Sequence, residues 1–445
     1  MELEKIKYVY SKEISMKKLF IILSFFTITL LSYSNAYAYT TEPPSITGES
    51  VVVMDANTGA VVYGKNENTP YPPASTTKLM TVLLTLENAD LDEVVTVGEI
   101  PPTIEGSKIY IDVGEKMTVE EMLYSVIMVS ANDCAAALAE HISGSIEEFS
   151  KLMNQRAKEL GCKNTNFVNP HGLYDDKHRT TAYDLALIER ELLKHEKYIE
   201  ISKTKSTFLE PTNIFKEKRP LWNDNRLLHD AYDCYYPDAI AGKTGYTDES
   251  LHSFVASASR GDAKFIIAIL YDKDKAYYNE TPKLFDWAFD NFSTDKVFSK
   301  GDEIGTYETT NGSIIPLIAE KDIFYTKDKT SEEEPSIIIN KDSLSNKFFN
   351  KGDIVTTVSI NYNGQSYNSE VSSGDDYLQE ALPVLGTLVT TENNTISYTN
   401  LFIIIGSAIL GVVLIILLTI YIIKRRRLAK KRKTLFSSNS YKRKY

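Results

Sequence analysis

Residues 72–78 read Pro-Pro-Ala-Ser-Thr-Thr-Lys and lead directly into the apolar run Leu-Met-Thr-Val-Leu-Leu-Thr-Leu at 79–86. The density of apolar side chains predicts a central helix that is buried on most sides. Residues three apart on a helix share a face, so the amine of Lys78 can reach the hydroxyl of Ser75. A serine becomes a nucleophile when a base takes its proton, and a lysine is such a base when burial keeps it neutral. The stretch therefore predicts a nucleophile and its base.

The prolines just before Ser75 place its hydroxyl at the start of the predicted helix. Unpaired backbone N–H groups and the positive end of the helix dipole favour negative charge at that position. Half of an oxyanion site is therefore expected beside the nucleophile. A simple N-cap serine followed by a surface lysine is the alternative interpretation of the same residues.

A second polar motif, Ser130-Ala131-Asn132, follows a predicted helix. Residues 118–121 have the spacing of a capping box ahead of the apolar run 122–129, and another helix is expected from about residue 135 to His141. Short polar side chains in the turn between two helices can project into a cleft. We expect Ser130 to relay a proton to a leaving amine and Asn132 to hold a substrate amide. Helix capping is the alternative role.

A third motif, Lys243-Thr244-Gly245, is predicted to end a strand that begins at Ala239. The edge of such a strand can pair with an extended peptide, and Gly245 permits close approach. The positive charge of Lys243 and the hydroxyl of Thr244 suit a substrate carboxylate. An ordinary strand end is the alternative.

The remaining pattern predicts an α+β fold with helices packed on an antiparallel sheet. Two β-branched runs around the turn residues 55–59 indicate a hairpin at 51–63. Strand-like segments at 239–246, 253–259 and 265–271 precede an amphipathic stretch at 284–292. We assign 42–292 to a catalytic domain. The short β-type runs in 293–389 predict a small β-rich domain, and the Thr- and Asn-rich residues 390–400 predict a spacer.

The N-terminal segment has the features of a secretory signal peptide. Met16-Lys17-Lys18 precedes an apolar run at 19–31, and small residues occupy alternate positions at Ala36 and Ala38. A transmembrane anchor is the alternative, but the run is shorter than the roughly 20 residues that a bilayer requires. We predict a signal peptide at 1–38, with Met16 as an alternative start.

Residues 401–423 form an apolar run long enough to cross a membrane as a helix. A buried core helix is the alternative, although such helices are rarely so uniformly apolar. The basic tail 424–445 carries 11 Lys and Arg and no acidic residue. The positive-inside rule then predicts a single-pass protein of the cell membrane with a cytoplasmic tail and an extracellular catalytic domain.

Charge and cysteine content exclude other classes. The chain has a net charge of −11, and residues 1–423 carry −22, so nucleic acid is not an expected partner. Cys134, Cys162 and Cys234 cannot form a complete disulfide framework and show no zinc-like spacing. The sequence does not say whether any two of them pair. No metal or other cofactor is expected.

The order of the three motifs is more specific than any of them alone. Together they resemble the serine-type D-alanyl-D-alanine carboxypeptidases, the low-molecular-mass penicillin-binding proteins, whose motif set is shared with class A β-lactamases. The resemblance extends to 130–133, Asn-Pro-His-Gly-Leu at 169–173 and 242–248, and it covers roughly residues 45–290. It implies a penicillin-binding-protein or β-lactamase-like catalytic domain.

The resemblance also implies a role for each matching residue. Ser75 would be acylated with Lys78 as its base, and Ser130 would assist proton transfer. The substrate-binding residues would be the following: Asn132, Lys243, Thr244, Gly245 and Tyr246. The backbone N–H groups of Ser75 and Tyr246 would form the oxyanion hole. His171 is interpreted as a structural loop residue.

The implied activity is removal of the terminal D-alanine from peptidoglycan stem peptides, with β-lactam antibiotics acylating the same serine. A β-lactamase and a catalytically silent wall-binding scaffold are the alternatives. Family members often end in an amphipathic helix on the membrane, whereas this chain has a predicted spanning segment. The additional arginine that some relatives use near the substrate carboxylate has no clear counterpart in the sequence.

Overall fold

The computed structural model describes residues 42–309, 312–344 and 348–377, all of which lie in one compact unit. Among these residues the helices are α1 (Lys78–Asn88), α2 (Val119–Met128), α3 (Asn132–Ser143), α4 (Ile146–Glu159), α5 (Ala182–Leu192), α6 (Glu196–Lys203) and α7 (Tyr277–Asn291). The strands are β1 (Ser50–Asp55), β2 (Val61–Lys65), β3 (Val94–Thr96), β4 (Lys116–Thr118), β5 (Ser206–Leu209), β6 (Arg219–Trp222), β7 (Ala239–Thr247), β8 (Leu251–Arg260), β9 (Ala263–Asp272), β10 (Phe292–Phe298), β11 (Glu303–Glu308), β12 (Ile314–Ala319), β13 (Ile323–Asp328), β14 (Ser336–Ile339), β15 (Ile354–Tyr362) and β16 (Gln365–Ser373).

The catalytic domain is built on a five-stranded antiparallel sheet in the order β2-β1-β9-β8-β7. Strand β7, which carries the third motif, is therefore an edge strand whose outer side is not paired within the described residues. The predicted α+β class is confirmed, as is the hairpin of β1 and β2.

Strand β1 is apolar at consecutive positions because both faces of the sheet are covered. Val52 and Met54 belong to the core shared with α1 to α6, whereas Val51 and Val53 pack into a second core with α7. The same alternation occurs along β9. Helix α1 is buried along most of its length, as the apolar run predicts. Lys78 therefore lies on a buried helix, and the third motif lies on the sheet.

The residues that follow α7 form the β-rich part. Strand β10 begins at the end of α7 and pairs with β13, while a five-stranded antiparallel sheet has the order β11-β12-β16-β15-β14. A separate hydrophobic core holds this part together and includes Leu317, Ile360 and Val371. The alternating burial along β15 and β16 agrees with a sheet that is apolar on one face.

Asp55 joins the catalytic sheet to the β-rich part. Its carboxylate is fully buried and accepts hydrogen bonds from the hydroxyls of Thr294 (2.7 Å) and Thr326 (2.8 Å) and from the N–H of Asn57 (2.8 Å). Burial raises the pKa of Asp55, and these hydrogen bonds oppose that increase. A buried carboxylate with several donors is costly to remove, because each donor then loses its acceptor.

Replacement of Asp55 by alanine should therefore lower the free energy of unfolding by about 2–4 kcal/mol. Asp290, which lies exposed on α7, is the matched control, and its replacement by alanine should change stability by less than about 0.5 kcal/mol. Urea unfolding of both variants measures the difference. Equal losses in the two variants would contradict the joining role of Asp55.

The structure corrects three local expectations. Ser75 lies in a 3-10 turn, Ala74–Thr77, and the α-helix begins only at Lys78. Asn132 is not in the turn but is the first residue of α3. The N-cap of this helix is Ala131, which has no side-chain capping bond. The third motif lies in the middle of β7 and does not end it. The capping box at Thr118 and Glu121 is confirmed.

Several predicted segments lie outside the described residues: the signal peptide 1–38, the spacer 390–400, the spanning segment 401–423 and the tail 424–445. Within the described residues, no helix combines the length and the apolar character that a membrane span requires. Cys134, Cys162 and Cys234 are free thiols, and all three are buried.

Candidate active site

Lys78 makes three contacts through its amine. The Nζ atom lies 3.0 Å from Oγ of Ser75, 2.5 Å from Oδ1 of Asn132 and 2.7 Å from the carbonyl oxygen of His171. The lysine is fully buried, whereas Ser75 is partly exposed. The first and second sequence motifs thus meet at one amine, and Ser75 is the member of that cluster that is partly exposed.

The three partners determine the directions of the N–H bonds and of the lone pair when the amine of Lys78 is neutral. A neutral amine has two N–H donors and one lone pair. The amide oxygen of Asn132 and the carbonyl of His171 can only accept hydrogen bonds, whereas the hydroxyl of Ser75 can donate one. The two donors are therefore used by Asn132 and His171, and the lone pair of Lys78 is directed at the proton of Ser75.

The electrostatic environment favours that neutral state. Burial lowers the pKa of Lys78 well below its usual range, and the positive charge of Lys243 lowers it further, while Asp133 opposes both effects. Asp133 is itself fully buried and accepts hydrogen bonds from backbone N–H groups, including that of Ile111 (3.2 Å). The lowered pKa of Lys78 favours the neutral amine, which is the form that can accept a proton.

The turn that carries Ser75 is fixed from both sides. The Ser253 hydroxyl on β8 donates to the carbonyl of Pro73 (2.7 Å), and the Thr76 hydroxyl donates to the same oxygen (2.7 Å). Gly172 presses against the turn at a φ of +86°, and a Cβ atom there would lie 1.8 Å from the carbonyl oxygen of Ala74. Only glycine permits this approach.

Ser130 lies at the junction of α2 and α3 with a φ of +61°, which is a strained conformation for a residue with a side chain. Its Oγ atom is buried and has no hydrogen-bond partner among the described residues. A buried hydroxyl without a partner is costly unless a ligand completes it. Ser130 also lines the cleft that contains Ser75, so its hydroxyl is available to a bound substrate.

Asn132 has both ends of its amide occupied. Its Oδ1 accepts from Lys78, and its Nδ2 donates to the carbonyl of Glu105 (2.6 Å), so the orientation of the amide is determined. Gly106 has a φ of +83°, and a Cβ atom there would lie 2.6 Å from Nδ2. The loop before α2 therefore packs against Asn132 only because residue 106 is glycine.

The third motif borders the same cleft. Lys243 is buried, and burial lowers its pKa to about 8, an effect that the charge of Asp224 opposes. Gly245 lies against Ser75, because a Cβ atom there would lie 2.9 Å from the backbone nitrogen of Ser75. Tyr246 has an exposed side chain whose hydroxyl donates to Asp248 (2.9 Å). The backbone of β7 thus runs beside Ser75.

The cleft has a volume of about 450 Å³, and its lining contains five residues that the sequence analysis did not select: Ser107, Asp224, His252, Lys275 and Tyr277. None of them belongs to a short motif, and they come from two separate loops, from β8 and from the region where α7 begins. Lys275 has a φ of +55°, which sequence alone does not reveal. No local pattern could have identified these residues.

His171 contributes to the site through its backbone. Burial, followed by the charges of Lys78 and His178, lowers the pKa of the imidazole to about 3, so the ring is neutral at physiological pH. The ring Nδ1 accepts from the N–H of Leu173 (3.3 Å). These contacts agree with the prediction of a structural loop residue. The use of its carbonyl by Lys78 was not predicted.

Comparison with known proteins identifies the family. Residues 37–274 match the sequence model of the D-alanyl-D-alanine carboxypeptidases, and residues 292–393 match that of the penicillin-binding protein 5 C-terminal domain. The chain belongs to the D-alanyl-D-alanine carboxypeptidase family. Members of this family are serine hydrolases that act as DD-carboxypeptidases, and this chain is one of them.

The carboxypeptidase relatives include proteins of known sequence and structure. D-alanyl-D-alanine carboxypeptidase DacF of Bacillus subtilis is 37% identical over 270 residues, which are 59% of this chain and 68% of the relative. DacA of Haemophilus influenzae is 34% identical over 66% of this chain and 75% of its own length. The crystal structure of penicillin binding protein 5 from Haemophilus influenzae has a TM-score of 0.64 and 30% identity, covering 76% of this chain and 99% of that one.

Proposed function

We propose that this carboxypeptidase removes the terminal D-alanine of peptidoglycan stem peptides through an acyl-enzyme on Ser75. The observation that carries this proposal is the 3.0 Å contact between Ser75 Oγ and the buried amine of Lys78. In the neutral state the lone pair of that amine has the Ser75 hydroxyl as its hydrogen-bond donor. Such an arrangement converts a weak hydroxyl nucleophile into an effective one.

Acylation would proceed in a defined order. Lys78 takes the proton of Ser75 as Oγ attacks the penultimate D-alanine carbonyl, and the backbone N–H groups of Ser75 and Tyr246 hold the oxyanion. The C–N bond then breaks, and the Ser130 hydroxyl passes a proton to the leaving amine. The unpartnered state of that hydroxyl supports this role. A water molecule subsequently adds to the ester and regenerates Ser75.

Binding would use the other residues around the cleft. Lys243 and Thr244 would hold the terminal carboxylate of the substrate, since a buried cation attracts it strongly. The substrate would lie along the open edge of β7 next to Gly245, with its amide near Asn132. A β-lactam carries a reactive carbonyl and a carboxylate that correspond to the scissile carbonyl and the terminal carboxylate of the peptide. It would therefore acylate Ser75.

The activity should depend on pH in a bell-shaped manner. Below the lowered pKa of Lys78 the amine is protonated and cannot act as a base, so kcat/KM falls with decreasing pH. Lys243 loses its charge as pH rises through about 8, so kcat/KM also falls on that side. Replacement of Lys243 by arginine should remove the alkaline limb near pH 8, because arginine stays charged. Assays of kcat/KM across the pH range measure both limbs.

The control is Lys283→Arg, which changes an exposed lysine on α7 and should retain the limb near pH 8. An alkaline limb that is unchanged in Lys243→Arg would show that another group titrates there.

The experiment that tests the proposed function compares two reactions of the full chain in detergent. A tripeptide ending in D-Ala-D-Ala should release D-alanine with multiple turnovers. Labelled penicillin should form an adduct that persists for minutes or longer. Rapid turnover of penicillin would instead indicate a β-lactamase, and the absence of both reactions would indicate a silent scaffold.

We propose further that the catalytic domain lies outside the cell on a single-pass membrane anchor at 401–423. The uniform apolar character of this segment and the 11 Lys and Arg of the tail support the proposal. A chain that ends before residue 401 should be released into the soluble fraction, whereas the full chain should sediment with membranes. Sedimentation of both chains with membranes would contradict the anchor.

A further inference from the structure

The β5–β6 hairpin (residues 206–222) has one buried face and one exposed face. The strand register places Phe208 opposite Pro220 on the same face as Trp222, and Phe208 is 62% and Trp222 66% exposed. The side chains on the other face are buried: Leu209, Arg219 and Leu221. Exposed aromatic side chains that share one face of a strand pair indicate an interaction surface. We call this surface the aromatic face of the hairpin.

Buried contacts hold the hairpin against the rest of the catalytic domain. Arg219 donates two hydrogen bonds to the buried carboxylate of Glu115 (2.7 and 3.1 Å), and the Thr212 hydroxyl donates to the same carboxylate (2.7 Å). The side chain of Asn213 accepts a hydrogen bond from the N–H of Lys116 (2.7 Å). These contacts fix the inner side of the hairpin, so the aromatic face is presented to the surroundings.

The hairpin and the residues just before it carry an excess of exposed positive charge. Within residues 203–222 the exposed charged side chains are four lysines and two glutamates: Lys203, Lys205, Lys216, Lys218, Glu210 and Glu217. Lys218 forms an ion pair with Glu210 (2.5 Å), so three lysines remain against Glu217. This stretch is therefore basic, although residues 1–423 together carry −22. Lysines beside an aromatic face suit a surface that is both apolar and anionic.

We propose that the aromatic face docks on the lipid bilayer, with the rings of Phe208 and Trp222 in the interface and the exposed lysines on anionic headgroups. Surfaces that lie on membranes combine these same side chains. The proposed anchor at 401–423 would keep a bilayer within reach, because the 23 residues of 378–400 span at most about 80 Å. The inference goes beyond the proposed function and does not depend on the chemistry at Ser75.

Docking would also determine where the active site lies relative to the membrane. Trp222 lines an open cavity that shares Asp224 and Thr244 with the catalytic cleft. A bilayer in contact with Trp222 therefore lies beside the cleft, and the cleft would open close to the membrane surface.

The tryptophan content of the chain provides the test. The chain has two tryptophans, and Trp287 is only 7% exposed, so Trp222 is the one that can meet lipid. The full chain is reconstituted in vesicles of equal parts phosphatidylcholine and phosphatidylglycerol, with or without bromine near the headgroup end of the acyl chains. Bromine quenches tryptophan at short range, so the emission of Trp222 should fall about twofold, because docked side chains lie about 5–10 Å deep. Vesicles of phosphatidylcholine alone should give less quenching.

Three variants identify the source of the signal. Trp222→Phe retains only the emission of Trp287, which bromine should not change. Phe208→Ser removes one ring from the aromatic face and should reduce the quenching of Trp222 at least about twofold. Ile314→Ser is the matched control, because Ile314 is 67% exposed on β12 of the β-rich part, and it should leave the quenching unchanged. Penicillin acylation at the parent rate in Phe208→Ser and Ile314→Ser verifies their fold.

Absence of quenching in a parent chain that sediments with the vesicles would overturn the docking, as would equal quenching in Phe208→Ser and the parent. Equal quenching in the two lipid mixtures would overturn the role of the lysines. If purified peptidoglycan shields Trp222 from acrylamide and the vesicles do not, the aromatic face binds the wall polymer and the inference is wrong. A chain that does not sediment with the vesicles would overturn the anchor and the docking together. A failure of the proposed function looks different, because D-alanine release would be absent while the quenching persists.

Discussion

Replacement of Lys78 by methionine should lower kcat/KM for D-alanine release by about 10³-fold or more, because Ser75 loses the group that takes its proton. The methionine fills much of the same buried volume, so the fold should survive. The Oδ1 of Asn132 and the carbonyl of His171 would nevertheless lose their donor. We therefore expect a loss of about 2–4 kcal/mol in the free energy of unfolding as well.

The two effects can be separated by experiment. Acylation by labelled penicillin, followed by quenching and gel analysis, measures the loss of nucleophile activation. Thermal unfolding measures the stability. Lys151→Met on the exposed face of α4 is the control, since Lys151 is exposed and forms an ion pair with the exposed Glu148 (2.7 Å). A Lys78→Met variant that is acylated at the parent rate would show that another base serves Ser75.

Replacement of Gly172 by alanine should have the second large effect. The new Cβ would lie 1.8 Å from the carbonyl oxygen of Ala74, so the turn that carries Ser75 would have to move. Overpacking and the positive φ should together cost about 2–5 kcal/mol of stability. We also expect penicillin acylation to fall at least about 100-fold, because a displacement of about 1 Å at a nucleophile has an effect of that size.

Gly161 offers a closely matched control. Its φ is +89°, and a Cβ atom there would have no neighbour within 4 Å. Gly161→Ala therefore carries the same backbone strain without the clash, and should cost about 1–2 kcal/mol without affecting acylation. Equal acylation rates in the two variants would show that the contact of Gly172 with Ala74 does not hold the turn.

Much of the architecture follows from local patterns in the sequence. The two β-branched runs predict the hairpin of β1 and β2, and the apolar run of α1 predicts a buried helix, as the structure shows. The capping box at Thr118 follows from a spacing of three residues. These features depend on residues that are close together along the chain, so they can be predicted from a single sequence.

Other parts of the site depend on contacts between distant residues. Lys78 reaches the carbonyl of His171, 93 residues away, and Asn132 Nδ2 reaches the carbonyl of Glu105. Backbone carbonyls carry no sequence signature, and the requirement for glycine at position 106 arises only from the packing of Asn132. The amide of Asn132 bonds to these partners and does not cap α3, whose N-cap is Ala131. The motif identifies the residue, but its local conformation depends on tertiary contacts.

The most direct test of the account is to locate the penicillin adduct by mass spectrometry. Trypsin should release residues 66–78 as one peptide, which contains Ser75, while Ser130 falls in the separate peptide 117–151. We predict that the adduct lies on Ser75 in the first peptide and is absent from a Ser75→Ala variant. An adduct on the second peptide, or one that persists in Ser75→Ala, would contradict the assignment of Ser75 as the nucleophile.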